Sequence, residues 1–451
     1  MLHQRFKILL VLYCLLFLGF LQAQAEGSKL EQFSRQYLAQ HNIATVLNEA
    51  GLNGPTIGSR NFVLQGVPHE TLGEGYVIIT DHQEPAYLDP LGELKKYHNG
   101  TLIQIPDLSR LDSDPAVAKI LLQKLVAAQP RYVAIAPRTQ SFRENVLLSL
   151  WSVFSRLDKS GQIAVFPGWL IAPDAISFKQ LIDRSLQFKP LSGPSLHPMI
   201  IAQVPGPRAG GTRAVAKASL LQKYLGQIGC PTDALILKTN AAVRAGIETP
   251  VFDAQKAVLN VGSTFLQDFP DTPKSQLSAA NLLLLFGHGI PGMTCSIDVG
   301  AFKNVPFNNK IVLCGSCFCT SPVHSDFDST PEQVYDAPGA NSARQTGEQF
   351  AGRAIANGAA LFYGQMDTNG GFPELYVVLS NLLQGRCAGD SYQRLLNNRI
   401  VASGLQPEEF VLRNAGDNQA KNRRTELLYV LIGDPALCPI NIEDSSLRNT
   451  R

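Results

Sequence analysis

The sequence predicts an α/β protein with mostly parallel sheets, and three features support this prediction. Residues 76–187 alternate short apolar strands with longer helical segments, which is the pattern of a parallel sheet with helical crossovers. Further along, Leu282–Phe286 and Ile311–Leu313 are short, continuously apolar and soon followed by glycine, as expected of strands buried on both faces. The proline-marked stretch Leu191–Pro198 separates the two α/β blocks.

Apolar periodicity and turn residues predict the individual elements. The strands predicted in the first block are Tyr76–Thr80, Leu102–Ile105, Tyr132–Ala136 and Ile163–Phe166. The helices predicted there are Leu88–His98, Pro115–Ala128 and Asp174–Gln187. The strands predicted in the second block are Met199–Gln203, Ala234–Lys238, Leu282–Phe286, Ile311–Leu313, Gly358–Gly364 and Glu426–Ile432. The helices predicted there are Ala214–Ile228, Phe252–Val261, Thr346–Ala356 with Thr346 as its N-cap, Phe372–Gln384 and Asp390–Ile400.

The first 25 residues have the features of a secretory signal peptide. A basic start is followed by the apolar run Ile8–Leu21 and by the small-x-small sequence Ala23-Gln24-Ala25. We therefore expect a secreted protein, in the periplasm or outside the cell. The alternative is a segment retained as an N-terminal anchor. Residues 26–74 are predicted to be an N-terminal extension without chemistry of its own, and no membrane span is expected after signal cleavage.

Charge and cysteine content narrow the class of protein. Lys and Arg number 39 against 37 Asp and Glu, so nothing in the charge balance indicates nucleic acid or an anionic membrane as a partner. One of the eight cysteines, Cys14, lies in the predicted signal peptide, which leaves seven. In an oxidising compartment thiols tend to pair, and an odd number leaves at least one unpaired. The sequence does not specify which cysteines pair.

The candidate active site lies just beyond the two apolar runs. Leu282–Phe286 leads into Gly287-His288-Gly289, and Ile311–Leu313 leads into Cys314-Gly315-Ser316-Cys317. Ligands of open α/β sheets bind outside the carboxyl ends of the strands, so His288 and Cys317 are expected to meet over one cleft. A thiol and an imidazole in that position indicate a thiolate nucleophile with an acid–base partner. The alternative for His288 is a strand-end histidine that only hydrogen-bonds a loop.

These residues resemble those of a known group of enzymes. A strand ending in His-Gly, then about thirty residues later a strand ending in Ser-Cys, is similar to the caspase-like clan of cysteine peptidases, which includes caspases, legumains, separases and gingipains. Three further passages resemble the gingipain type within that clan. They are residues 76–108, residues 163–190, and a tail with a helix carrying Glu348, then Gly-Ala-x-x-x-x-Gly and Ile-Gly-Asp-Pro-Ala-Leu. The resemblance runs from about Tyr76 to Pro439.

The resemblance implies a caspase-like three-layer αβα fold of two tandem α/β subdomains, 75–195 and 196–440, followed by a tail at 441–451. It implies Cys317 as the nucleophile and His288 as the general acid and base, with the backbone N–H groups of Gly289 and Cys317 forming the oxyanion hole. It implies protein or peptide substrates and neither a cofactor nor a metal. The predicted function is therefore an exported cysteine endopeptidase that acts through a thioester. The alternative is a weakly active or inactive caspase-like scaffold that binds partners at the cell surface or outside the cell.

At two positions the sequence differs from the gingipain pattern, and both differences concern substrate specificity. Pro137 stands where the family usually has Gly-Asp, and no arginine follows Gly168, so the family's substrate preference is not carried over. Acidic residues in the loop after the nucleophile are candidates for a pocket that binds Arg or Lys, although a solvated acidic loop explains them better. These residues are Asp326, Asp328, Glu332 and Asp336. Asp434 is expected to be a turn residue rather than a catalyst.

Several cysteines crowd around the predicted nucleophile. Cys314, Cys317 and Cys319, with His324, have the ligand types of a zinc site, but convergence on one metal would distort the strand, and no metal is expected. A disulfide from Cys314 or Cys319 to another cysteine, such as Cys295, is expected instead. A bridge from Cys317 to either neighbour would block the nucleophile, and a strained bridge of that kind is readily reduced.

Overall fold

The computed structural model describes residues 67–192, 195–204, 232–240, 256–262, 266–321, 349–367, 375–411 and 427–441, with single positions between them. The predicted signal peptide, most of the N-terminal extension, the acidic loop after the nucleophile and most of the C-terminal tail lie outside the described residues. Within the described ranges, none of the helices has both the length and the apolar character needed to cross a bilayer.

Sixteen strands are numbered along the described chain. The first eight are β1 (Gly75–Thr80), β2 (Thr101–Gln104), β3 (Pro130–Ala136), β4 (Phe166–Trp169), β5 (Leu191–Ser192), β6 (Pro198–Val204), β7 (Asp233–Thr239) and β8 (Lys256–Gly262). The others are β9 (Leu282–Phe286), β10 (Gly289–Ile290), β11 (Met293–Thr294), β12 (Ile297–Asp298), β13 (Ile311–Cys314), β14 (Leu361–Gln365), β15 (Tyr429–Ile432) and β16 (Ile440–Asn441). Eleven form one sheet in the order β2-β1-β3-β4-β15-β14-β13-β9-β6-β7-β8, and β10–β12 form a small antiparallel sheet.

Strands from both predicted subdomains share the large sheet. Neighbouring strands are parallel throughout except β14 and β15, which pair antiparallel. The sheet therefore has two halves that run in opposite directions and meet at β15, the last long strand. The carboxyl ends of β9 and β13 emerge at one end of the sheet, and those of β1, β3 and β4 at the other.

Helices cover both faces of the sheet. They are α1 (Pro85–Tyr97), α2 (Pro115–Ala128), α3 (Glu144–Phe154), α4 (Ala175–Gln187), α5 (Asp271–Ala279), α6 (Phe350–Ala356), α7 (Leu375–Leu383) and α8 (Ala388–Ser403). Adjacent strand residues point to opposite faces. On β14, Phe362 contacts Phe350 of α6 and Tyr363 contacts Tyr392 of α8, so α6 and α8 lie on opposite sides. This is the predicted three-layer α/β fold.

Local signals account for the helices that the sequence predicted. The carboxylate of Asp114 accepts a hydrogen bond from the Ala116 N–H, with Pro115 at the first turn of α2, and Asp174 caps α4 in the same way through the Ser177 N–H. Helix α6 begins at Phe350 with Gln349 at its N-cap position, whereas Thr346 lies outside the described residues.

Three predictions of local structure were wrong or incomplete. The helix predicted at Phe252–Val261 is wrong, because residues 256–262 form β8 and pair in parallel with β7. A short apolar run has no period that separates a helix from a strand, and pairing with a neighbour decides it. The strand predicted at Ile163–Phe166 begins at Phe166. Helices α3 and α5 were missed; α3 is buried on nearly all sides and therefore lacks an amphipathic pattern.

The disulfide joins Cys387, before α8, to Cys438, which follows β15. The expected bridges from Cys314 or Cys319 to Cys295 are wrong, because these three thiols are buried and reduced. Cys295 Sγ lies 3.2 Å from Ser316 Oγ, and Cys314 Sγ lies 3.5 Å from Thr294 Oγ1. The sulfur atoms of Cys295 and Cys314 are thus each next to a hydroxyl oxygen.

Asp434 connects the turn after β15 to the first half of the sheet. Its carboxylate is 1% exposed and accepts hydrogen bonds from the Tyr76 hydroxyl at 2.9 Å, from His98 Nε2 at 2.8 Å and from the Ala436 N–H at 2.9 Å. Burial and the neighbouring carboxylate raise the pKa of Tyr76 well above its ordinary value, so the hydroxyl remains a donor. These contacts give Asp434 a structural position in the turn.

Candidate active site

His288 and Cys317 follow two neighbouring strands. In the parallel pair β9–β13, Ile311 lies opposite Leu282 and Cys314 lies opposite Leu285. The two chains therefore leave the sheet side by side, His288 two residues after β9 and Cys317 three residues after β13. This arrangement follows from two fully buried apolar runs that pair in register.

The main chains of the two segments are in contact at Gly289. A Cβ atom built at Gly289 would lie 2.2 Å from the Cys317 carbonyl oxygen and 2.9 Å from Ser316 Cβ. A Cβ at Gly287 would lie 2.7 Å from Gln203 Cβ. The glycines on both sides of His288 are thus required for close packing rather than for turn geometry.

Gln203 holds the backbone at His288. It is the penultimate residue of the buried strand β6, is 4% exposed, and accepts the His288 N–H through Oε1 at 2.6 Å. Its Nε2 donates to Ser296 Oγ. On the other side, the His288 carbonyl oxygen accepts the Cys295 N–H at 2.8 Å. His288 is therefore held from β6 and from the small antiparallel sheet.

The turn between β11 and β12 contacts both segments. Its two residues, Cys295 and Ser296, have φ values of 52° and 62° and are buried. Two left-handed residues define a type I′ hairpin turn, which normally contains Asn-Gly. Here the side chains are needed, because Ser296 bonds Gln203 and Cys295 contacts Ser316 beside Cys317. The strained backbone thus supports the surroundings of the two predicted catalytic residues.

Cys317 is anchored through the residues that follow it. Its side chain is reduced and 7% exposed. Phe318 has a φ of 55°, which is uncommon for an aromatic residue, and its N–H donates to the Asp367 carbonyl at 3.3 Å. The Thr320 N–H donates to the Gln365 carbonyl at 3.0 Å. The segment after Cys317 therefore lies along the carboxyl end of β14.

The electrostatics favour a neutral imidazole. His288 is an exposed residue, yet desolvation of its ring by the surrounding protein lowers the pKa below the ordinary value of 6.5. A neutral imidazole can take the proton of a thiol, and the imidazolium so formed can donate to a leaving amine. Burial raises the pKa of Cys295 and of Cys319, so these neighbouring thiols remain protonated and weakly nucleophilic at neutral pH.

In the part of the chain that the structure describes, no group of three or more His, Cys, Asp or Glu side chains is placed to hold a metal ion. His324, considered above as a zinc ligand, lies outside it. Gln203, Ser296 and Ser316 were missed by sequence reasoning. Gln203 could have been found, because it is a polar residue that closes a buried apolar strand at its carboxyl end.

Comparison with known proteins shows the fold. No family model matches the chain, and no curated protein sequence matches it. The Arg-specific cysteine proteinase gingipain R matches with a TM-score of 0.50 and 12% sequence identity over 82% of this chain and 79% of its own. A second structure, described only as a protease, matches with a TM-score of 0.50 and 11% identity over 83% and 81%. The chain therefore has the caspase-like α/β fold seen in these proteinases.

Proposed function

We propose that this protein is an exported cysteine endopeptidase with Cys317 as nucleophile and His288 as general acid and base. The observation that supports this most directly is the contact between the Gly289 main chain and the Cys317 carbonyl, since it holds a histidine and a thiol at the carboxyl ends of paired strands. The fold shared with gingipain R is a second support.

The reaction begins with proton transfer. His288 takes the proton from Cys317 Sγ, and the thiolate attacks the carbonyl carbon of the scissile peptide bond. The oxyanion of the tetrahedral intermediate accepts hydrogen bonds from the backbone N–H groups of Gly289 and Cys317; one such donor lowers a barrier by about 3 kcal/mol. The imidazolium then gives its proton to the leaving nitrogen, which departs as an amine and leaves a thioester on Cys317.

Hydrolysis of the thioester returns the enzyme to its first state. His288 takes a proton from water as the water oxygen attacks the thioester carbonyl. Collapse of the intermediate breaks the carbon–sulfur bond, releases the carboxylic product and restores the thiol. In both steps the main chain of His288 stays fixed by Gln203, so the ring needs no large movement.

Export is proposed on two grounds. The first 25 residues have the pattern of a signal peptide. The disulfide between Cys387 and Cys438 is typical of proteins that leave the reducing cytosol.

A thiol-directed peptide label tests the enzyme against the binding scaffold. We expect Cys317 to react selectively and in a pH-dependent manner, and expect His288→Ala to abolish that reaction. Cys230 is also reduced but has no histidine partner in the proposal, so Cys230→Ser serves as the matched control and retains labelling. Equal labelling of several cysteines in both the wild type and His288→Ala would favour the scaffold.

A further inference from the structure

A second cavity lies at the carboxyl ends of the other half of the sheet. It has a volume of about 150 Å³ and lies beyond β1, β3, β4 and β15. Its lining residues include Pro137 after β3, Leu170 after β4 and Ile432 at the end of β15. Ligands of open α/β sheets bind in this position. Neither His288 nor Cys317 lines the cavity, which is therefore distinct from their site, although Thr320 of the segment after Cys317 lies in its wall.

Much of the cavity wall is apolar. Phe142, Phe178 and Ile355 are buried side chains that line it, together with Leu170 and Ile432. An apolar cavity of this volume accommodates a molecule of about the size of benzene. His82 and Tyr87 also line the cavity, and their rings stack with centroids 3.9 Å apart.

Two unpartnered polar side chains lie in the same wall. Gln349 is 5% exposed, and among the described residues neither its Oε1 nor its Nε2 has a hydrogen-bond partner. Thr320 is 1% exposed, and its Oγ1 likewise has no partner in the described part of the chain. Buried polar atoms are destabilising unless they are paired, and a carboxamide pairs with a group that both donates and accepts. A few converging polar groups in an apolar cavity are characteristic of a small-molecule site.

The charged groups nearby are already satisfied or neutral. Asp81, which precedes the lining residue His82, accepts hydrogen bonds from the Arg138 N–H at 2.7 Å and the Ser141 hydroxyl at 2.6 Å. Burial lowers the pKa of His82, which keeps its ring neutral near pH 7. The cavity therefore offers hydrogen bonds but no net charge to an occupant.

We propose that this cavity binds a neutral group with an aromatic or aliphatic body of about benzene size and a head that exchanges hydrogen bonds with the Gln349 carboxamide. The source of that group is a small free molecule or a side chain of a bound peptide. Occupancy also reaches the nucleophile segment, because Thr320 follows Cys317 by three residues, a span of at most ~11 Å. The Ala351 N–H, next to Gln349, donates to the Cys319 carbonyl at 2.9 Å.

The test uses Cys317→Ala protein, so that binding is measured without turnover and does not depend on the proposed activity. Benzamide is titrated by calorimetry, with toluene as the matched probe that lacks the polar head. We expect benzamide to bind and Gln349→Leu to weaken that binding about tenfold. Toluene should bind the Gln349→Leu variant at least as well as the Cys317→Ala parent.

Filling the cavity provides the second variant. Gly352 lines the cavity within α6, and Gly352→Leu adds apolar volume there while improving helix propensity, so the protein is expected to fold. Both probes should then lose binding by more than about tenfold. The proposal is overturned if the Cys317→Ala parent does not bind benzamide at ~10 mM. It is also overturned if the parent and the Gly352→Leu variant bind benzamide equally well. Displacement of benzamide by a substrate peptide assigns the cavity to a peptide side chain, and simultaneous binding assigns it to a free molecule.

Discussion

Replacing Gln203 by alanine is expected to impair catalysis while leaving the fold in place. The change removes two hydrogen bonds, one to the His288 N–H at 2.6 Å and one to the Ser296 hydroxyl. The His288 N–H is partly buried and the Ser296 hydroxyl is buried, and an unpaired group of this kind costs about 1–3 kcal/mol, so the free energy of unfolding should fall by about 2–4 kcal/mol. That is a moderate fraction of the stability of an ordinary domain.

The change should lower turnover even though nearly all of the protein stays folded. Freed from Gln203, the main chain at His288 can move relative to Cys317, and a displacement of about 1 Å costs on the order of 100-fold in rate. We expect kcat to fall by about 10- to 100-fold with a smaller change in KM, because substrate contacts elsewhere are retained. The assay measures both constants on a peptide substrate, with urea unfolding of the same samples.

A conservative variant separates positioning from simple destabilisation. Gln203→Glu retains an oxygen acceptor for the His288 N–H, and the Ser296 hydroxyl can donate to the second oxygen, so activity should largely return. Its carboxylate also favours the imidazolium, so the pKa of His288 should rise. The acid limb of the pH–rate profile lies below pH 6.5 in the wild type, because burial lowers that pKa, and should move upward in Gln203→Glu.

Gln393→Ala is the matched control. Gln393 is fully buried and donates from Nε2 to the Ile163 carbonyl at 2.8 Å, away from the two catalytic candidates. It should lose stability to a similar extent without loss of kcat. If Gln203→Ala keeps full kcat, or loses no more than Gln393→Ala, the positioning argument is refuted.

Three further outcomes are expected. Gly289→Ala would place a methyl group 2.2 Å from the Cys317 carbonyl oxygen, so activity should fall at least about 100-fold in a protein that still melts cooperatively. Retained activity would show that the His288 and Cys317 segments are not in close contact. Asp434→Ala leaves the buried Tyr76 hydroxyl and the partly buried His98 ring without their acceptor, so urea unfolding should show a loss of about 3 kcal/mol with unchanged kcat per folded molecule. A loss below about 1 kcal/mol would contradict this role. Protein isolated in air should be largely inactive until mild reductant opens a disulfide between Cys317 and a neighbouring cysteine. Joint replacement of Cys314 and Cys319 by serine should remove the need for reductant, and a double variant that still needs it places the inhibitory disulfide elsewhere.

Two kinds of secondary-structure element were predictable from the sequence: strands that bury an unbroken apolar run, and helices that carry their own boundary residues. Strand Leu282–Phe286 was predicted with its observed limits, and so was helix Pro115–Ala128. In the first case burial on both faces requires continuous apolar residues; in the second a capping aspartate and a proline determine where the helix begins. The same local signals placed His288 and Cys317 at strand ends, where parallel pairing made their proximity a reasonable expectation.

Tertiary structure decided what depends on residues far apart in the chain. Residues 256–262 are a strand because β7 offers backbone partners, whereas their short apolar run alone did not distinguish a strand from the predicted helix. The bond from Gln203 to His288 joins residues 85 positions apart, and Cys387 pairs with Cys438 rather than with a cysteine near the nucleophile. The cavity beside Gln349 exists because α6 packs over the carboxyl ends of strands from the other half of the sheet. No local pattern encodes such contacts, because each depends on how the whole chain brings distant segments together.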